Sequence, residues 1–328
     1  MTSTPRPYGP GERFHKPAIA VFAFKRADLL RRTLRSLERA QGFGGFNVHV
    51  FSDAPRNEYP AEIDAVRRVR SVLRPWCSRH NAILHEATHN LGLRSSIVGG
   101  VTRVLEEYEA VIVLEDDLIL SKCFLEFMEQ ALAACRPRND IMQRSGYFVP
   151  HNTDLPPVGL IRTPGSWGWA TWRRAWTCYE DDAVKLVRDV SRRDPEEFDL
   201  RGSYAFFDEL KKNAEGHLDT WAVRWYASMF LKGGLALYPA RSMTRNIGFR
   251  GDATNTSPSP TATTYLDQRI ARKLPAIDWS QVGSGETDAF AAALQKFYRW
   301  QNAKWVRPTL RERIAARWKI LTGGDASA

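Results

Sequence analysis

The chain has 328 residues, 43% of them hydrophobic, with 11 Trp, 10 Tyr and 16 Phe. That is ample material for a buried core and excludes disordered and fibrous classes. Lys and Arg number 47 against 37 Asp and Glu, a formal charge of +10, which favours partners carrying phosphate: nucleic acid, anionic lipid or nucleotide.

The four cysteines, Cys77, Cys123, Cys135 and Cys178, show neither the CxxC pairs of a zinc site nor the density of a disulfide scaffold. A reduced, cytoplasmic chain is expected. Residues 1–16 carry Pro, Gly and charges where a signal peptide needs an apolar run, and are expected to form a flexible arm. Apolar stretches fall well short of the ~20 residues that cross a bilayer, so any membrane contact is expected to be peripheral.

Pro17 to Phe24 reads as a strand, followed from Ala27 by Leu29, Leu30, Leu34 and Leu37 at helical spacing. The unit recurs. Asn47 to Phe51 is strand-like, Ala61 to Leu73 helical, Ala82 to Leu84 strand-like, and Ser96 to Leu105 helical with Ile97, Val101, Val104 and Leu105 inward. Ala110 to Leu114, AVIVL, is the next strand. Strands alternating with helices predict an α/β fold with a mainly parallel central sheet covered on both faces, and ligands gather beyond the carboxyl ends of such strands.

Three acids, Glu115, Asp116 and Asp117, follow AVIVL and precede the apolar Leu118 to Leu120. Their mutual repulsion is explained by a hard divalent cation, Mg²⁺ or Mn²⁺, which takes carboxylate oxygens and leaves positions for phosphates. A solvated turn, or acids capping the helix Phe124 to Leu132, is the plainer alternative.

Beyond residue 150 the regularity fades into an aromatic cluster, SWGWATWRRAW (Ser166 to Trp176), a polar helical stretch, a helix near Leu218 to Leu231, and a short run Leu235 to Tyr238. Residues 241–261, rich in Gly, Ser, Thr, Asn and Pro, read as a lid or a linker, and as a lid would bring Arg245 or Arg250 to a diphosphate. From Gln295 to Leu321 eight basic residues face one acid, Glu312. Leu310, Ile314, Trp318 and Leu321 would stripe a helix after Pro308, suited to an anionic membrane surface or to packing on the chain's own core.

VIVLEDD followed by CFLEFM resembles the metal-binding motif of glycosyltransferases with the GT-A fold, most closely N-acetylglucosaminyltransferase I and its bacterial relatives. FAFKR (Phe22 to Arg26), FSDA (Phe51 to Ala54), GSWGWATW (Gly165 to Trp172) and LDTW (Leu218 to Trp221) fall in that family's order, covering about residues 17–255.

The resemblance implies a GT-A nucleotide-diphospho-sugar transferase fold; the expected organisation is a catalytic domain over 17–275, with a nucleotide-sugar half (17–120) and an acceptor half (121–275), then a basic helical extension (276–328). It implies that Arg26 and Asp53 hold the nucleotide base, that Asp117 is the direct metal ligand, and that Glu115 and Asp116 orient sugar and ribose. Read as residues alone, Arg26 is also an exposed helix-start arginine and Asp53 a capping or turn aspartate. Arg94 is a candidate for nucleotide or phosphate.

Asp219, before Trp221, is the candidate catalytic base by the resemblance and a helix cap by residue type. Asp208 and Glu209 compete for the role from a preceding helix, where both read more plainly as a solvated face; Asp208 stands in reserve. Trp167, Gly168 and Trp169 suggest a backbone brought close to a sugar with indoles around it. Some relatives place a histidine in the lid, where this chain has none.

The expected function is an inverting, Mn²⁺- or Mg²⁺-dependent transfer from a nucleotide-sugar donor, UDP-linked, to a glycan or lipid-linked acceptor. Rival readings are a nucleotidyltransferase, which FAFKRADLL disfavours by lacking a glycine-rich phosphate loop, and a nucleic-acid protein, with a sugar transferase acting on modified DNA bases as its variant.

Overall fold

The computed structural model describes residues 16–306 except 57, 152 and 250–267. In Ala18–Ala23 (β1) every residue is buried. Successive strand side chains point to opposite faces, so a fully apolar strand needs cover on both. Ile19, Val21 and Ala23 pack against Leu30, Leu34 and Leu37 of α1 (Ala27–Glu38). Ala18, Ala20 and Phe22 form a second core on the other face.

The same logic builds β2 (Val48–Ser52), α2 (Pro60–His80), β3 (Ile83–Glu86), α3 (Gly92–Glu107) and β4 (Ala110–Glu115). Helices α1 and α2 cover one face, and Ile97, Val101, Val104 and Leu105 of α3 cover the other. Helix α2 outruns its expected end because Val66, Val69, Leu73, Trp76 and Cys77 extend one buried stripe past Pro75, until Asn81 takes a left-handed φ of 51°.

After β4 come β5 (Leu118–Leu120), α4 (Phe124–Ala134), β6 (Ile141–Ser145), β7 (Val158–Ile161), β8 (Trp169–Trp172) and α5 (Arg173–Trp176). Then follow α6 (Ala183–Arg193), α7 (Pro195–Phe198), α8 (Phe206–Ala214), α9 (Trp221–Leu231), β9 (Leu235–Pro239), β10 (Thr244–Asn246) and α10 (Asp288–Val306). The eight-stranded sheet has the order β3-β2-β1-β4-β8-β6-β9-β7. Pairings β3·β2, β2·β1, β1·β4 and β6·β9 are parallel, while β8 and β7 run against their neighbours. An α/β fold with a mainly parallel sheet between helices is therefore present, as expected.

β6 carries no hydrophobic signal because Gln143, Arg144 and Ser145 are buried inside it. Gln143 Nε2 donates to Gly165 O at 2.8 Å, and its Oε1 accepts from Trp225 Nε1 at 2.7 Å. Arg144 donates to Ala131 O and Gln143 O and lies over Trp172, 4.7 Å from the ring centroid. Paired in this way, the Gln143 amide avoids the cost of burial without partners.

Phe290, Ala293, Leu294 and Phe297, at helical spacing on α10, join the second core. Within the expected C-terminal extension, Asp288–Val306 is thus a packed helix. The stripe after Pro308 lies outside the described residues, as do the arm 1–15, Arg250 and lid residues 251–261. Among the described residues no helix is long and apolar enough to cross a membrane.

Candidate active site

The sheet order reverses at β1, whose two neighbours β2 and β4 lead to opposite edges, and at such points an open α/β sheet holds its ligands. In register, Phe22 faces Glu115 and Ala23 faces Ser52, so Phe24 to Arg26, Asp53 and the acids 115–117 gather at one sheet end. A cavity of about 340 Å³ opens there, within the roughly 300–1,000 Å³ range of small-molecule sites. It is lined by Phe24, Lys25 and Arg26, by Asp53, Arg56 and Asn90, and by Glu115, Asp116 and Asp117. Ser166, Trp167, Glu209, Thr220, Trp221, Ala222 and Asn246 also line it.

The acidic turn is fixed from α1. Thr33, fully buried, donates Oγ1 to Asp116 O at 2.8 Å and accepts from Leu118 N at 3.1 Å. Arg26 Nη2 donates to Asp116 Oδ1 at 2.5 Å and Asp117 Oδ2 at 2.9 Å, and Phe24 N donates to Asp116 Oδ2 at 3.3 Å. From the other side Ile247 N donates to Asp117 O at 2.8 Å and Gly248 N to Asn246 Oδ1 at 2.7 Å. A Cβ at Gly248 would lie 2.1 Å from Asp117 Oδ2 and 2.8 Å from Arg26 Nη1. Only glycine lets the 246–248 segment close on the acids.

Three carboxyl groups face one guanidinium. Burial, then the charges of Asp117 and Asp116, pushes Glu115 up to about 8. Burial pushes Asp116 up to about 6 despite Arg26, and raises Asp117 as well. Arg26 itself is desolvated, but Asp116 and Asp117 outweigh that and strengthen its hold on the proton. The cluster is short of positive charge.

Among the described residues no group of three or more His, Cys, Asp or Glu side chains is arranged around a common metal position. What fits is a Mg²⁺- or Mn²⁺-type site in which one or two carboxylates hold the ion and phosphates and water complete the shell. Asp117 lines the cavity and is reached by both Arg26 and Asn246. Among the residues here no histidine is needed for such a set.

Several expected site residues are engaged differently. Asp53 lines the cavity, but its oxygens accept from Ala54 N (2.8 Å), Leu91 N (2.9 Å), Gly92 N (3.0 Å) and Asn90 Nδ2 (3.1 Å). These four donors fill its lone-pair positions, so Asp53 shapes the 90–92 loop and caps α3 instead of presenting a free acceptor to a base. Arg94 pairs with Asp181 at 2.6 Å and Asp219 at 2.5 Å, and does not line the cavity.

Asp219 also accepts from Arg224 at 3.1 Å, is 59% exposed in its side chain, and is not part of the cavity wall. Asp208 is exposed and paired with Lys211 at 2.9 Å. Its neighbour Glu209, expected on a solvated face, lines the cavity, and burial raises its pKa.

In the tryptophan segment, Ser166 and Trp167 line the cavity, whereas Trp169 is fully buried and stacks on Trp221 with centroids 5.0 Å apart. Trp169 is core. Gly168 has φ 74°, and a Cβ there would lie 2.8 Å from Thr244 Cγ2, so glycine is required both conformationally and sterically. Arg245 sits in β10 opposite Ile119, off the cavity wall, while its neighbour Asn246 lines it. Lys25 and Arg56 are further cavity cations, both held by Glu62.

No protein-family model and no curated protein matches the chain. Among solved structures it is similar to the mannosyltransferase PcManGT from Pyrobaculum calidifontis in complex with GDP-Man and Mn²⁺, at 12% identity over 67% of this chain and 70% of that one, TM-score 0.37. It is also similar to S. aureus TarS 1–349, at 12% identity over 76% and 71%, TM-score 0.41. A third is GalNAc-T7 with UDP, GalNAc and Mn²⁺, at 11% identity over 76% and 47%, TM-score 0.41. In the longer S. aureus TarS structure the similarity spans 23% of that chain.

Proposed function

We propose that this protein is a glycosyltransferase that moves a sugar from a nucleoside-diphosphate donor, UDP-linked, to a hydroxyl of a glycan or lipid-linked acceptor, with inversion. The observation that carries this reading is the charge-deficient cluster Glu115–Asp116–Asp117, set at the sheet's switch point in one cavity with Ser166, Trp167 and the start of α9. Five motifs in the order of the resembling family support it.

In this reading Asp117 would hold Mn²⁺ or Mg²⁺, an ion that offsets the charge of a leaving diphosphate when bound. Arg26 keeps Asp116 and Asp117 in place and partly neutralised. Asp53 acts through the 90–92 loop it holds, and Phe24, Arg56 and Asn90 surround the space for the nucleotide. Trp167, which meets Tyr147 edge-on at 4.5 Å, offers the sugar an aromatic wall. The acceptor hydroxyl attacks the anomeric carbon as the diphosphate departs, and a cavity carboxylate takes its proton.

Screening UDP-, GDP- and CDP-sugars with Mn²⁺ for release of nucleoside diphosphate tests this. Turnover of one donor class, strongest for UDP, is expected, and release of pyrophosphate from nucleoside triphosphates in its place would indicate a nucleotidyltransferase.

A further inference from the structure

We propose that Glu209 is the general base of the transfer, the carboxylate that receives the acceptor's hydroxyl proton. This rests on the glycosyltransferase reading above and adds the residue that performs its proton step.

Glu209 lies in the first turn of α8 and lines the same cavity as Asp116 and Asp117. Among the described residues no hydrogen bond or ion pair engages its carboxylate; Lys212 is the one charged group acting on it, and burial outweighs that influence and raises its proton affinity. A raised carboxyl pKa makes a stronger base near neutral pH.

The main chain beneath it is held firmly. Buried Asn213 donates Nδ2 to Glu209 O at 2.9 Å and to Thr220 Oγ1 at 3.1 Å, and its Oδ1 accepts from Thr220 N at 2.8 Å. Asp199 Oδ1 accepts from Phe207 N at 2.6 Å at the start of α8. These bonds tie α8 to the start of α9, the part of the cavity wall formed by Thr220, Trp221 and Ala222. The other carboxylates of this region are engaged elsewhere: Asp219 by Arg94 and Arg224, and Asp208 by Lys211.

In the step, the acceptor oxygen bonds to the anomeric carbon. The bond from that carbon to the diphosphate oxygen breaks, and its electron pair leaves with the nucleoside diphosphate. The hydroxyl proton passes to Glu209 and returns to solvent after product release.

The experiment compares full-length wild type, Glu209→Gln and Asp219→Asn, using calorimetry with UDP and Mn²⁺ and hydrolysis of the UDP-sugar that wild type turns over fastest, with and without azide. Glu209→Gln is expected to keep UDP affinity and lose hydrolysis by roughly 10²–10⁴-fold. Azide, a nucleophile with no proton to remove, is expected to restore turnover as glycosyl azide. Asp219→Asn is expected to stay within about tenfold of wild type.

The larger rate loss with azide rescue in Asp219→Asn would overturn the assignment, as would loss of UDP affinity in Glu209→Gln. Should the glutamine variant not fold, Glu209→Asp carries the test: a carboxylate withdrawn by one methylene must lower kcat at unchanged donor KM, and unchanged kcat overturns the proposal. A wild type that neither binds nor turns over any nucleotide sugar would instead remove the glycosyltransferase reading beneath it.

Discussion

Two charged clusters at the cavity, one around Glu62 whose partners Lys25 and Arg56 line it and one at the end of β4, differ in charge balance. At Glu62, Arg56 and then Lys25 hold one carboxylate down to about 2. At the end of β4, burial and mutual repulsion hold Glu115 up to about 8 and Asp116 up to about 6 against a single arginine. The first cluster is complete in itself and anchors Lys25 and Arg56. The second is left short of positive charge, as perturbed carboxylates at functional sites often are.

The largest effect that would sharpen this contrast is on turnover. Asp117→Asn should lower metal-dependent donor turnover by about 10³-fold, since metal charge stabilisation is worth several kcal/mol. Folding, followed by circular dichroism, should be intact. Next, Arg26→Ala removes the cation that pairs with the acids among the described residues, and stripping one partner from a buried ion pair costs about 3–5 kcal/mol. Thermal or urea unfolding should show that loss in full at pH 8 and a smaller one at pH 5, where the carboxyls take up protons instead.

Opposite pH slopes follow from the opposite shifts. Glu115 has a folded pKa above its unfolded value, so native protein binds the extra proton, and stability is lost as pH rises from about 4.5 toward 8. Glu115→Gln should therefore unfold less readily than wild type at pH 8, by on the order of 1–3 kcal/mol, while being impaired in donor binding. The smallest effect belongs to Glu62, whose depressed pKa stabilises above about 4.5 and is lost as pH falls toward about 2. Glu62→Gln should cost about 1–2 kcal/mol at pH 7 and flatten that acid limb. Parallel slopes in the two variants would break the comparison.

The amino-terminal half of the sheet was legible because β1 and β4 are apolar on both faces and the helices carry plain 3.6-residue stripes. The acidic turn was legible for the same reason: three charges between two apolar runs stand out. The second half hid its strands, since β6 buries Gln143 and Arg144 against partners far along the chain at Gly165, Trp225 and Ala131. No local pattern records such partners.

Site roles faded where a side chain's partner lies far along the chain. Asp53 reads as a turn residue or a base contact, yet its four donors include the 90–92 loop, 37 to 39 residues away. Asp219 and Glu209 are both acids near the start of a helix. What separates them is Arg94, 125 residues from Asp219, and the fold that turns Glu209 inward. Gly248 was legible only as a loop glycine, and its need appears when Asp117 and Arg26 are seen against it.

Calorimetric titration of UDP into wild type and Asp117→Asn, each with Mn²⁺ and with EDTA, tests the central claim that the β4 acids form a nucleoside-diphosphate site completed by a divalent cation. The account predicts binding by wild type with Mn²⁺, at least about tenfold weaker in EDTA and similarly weakened in Asp117→Asn. Equal affinity under all four conditions, or no binding by wild type in Mn²⁺, would contradict it.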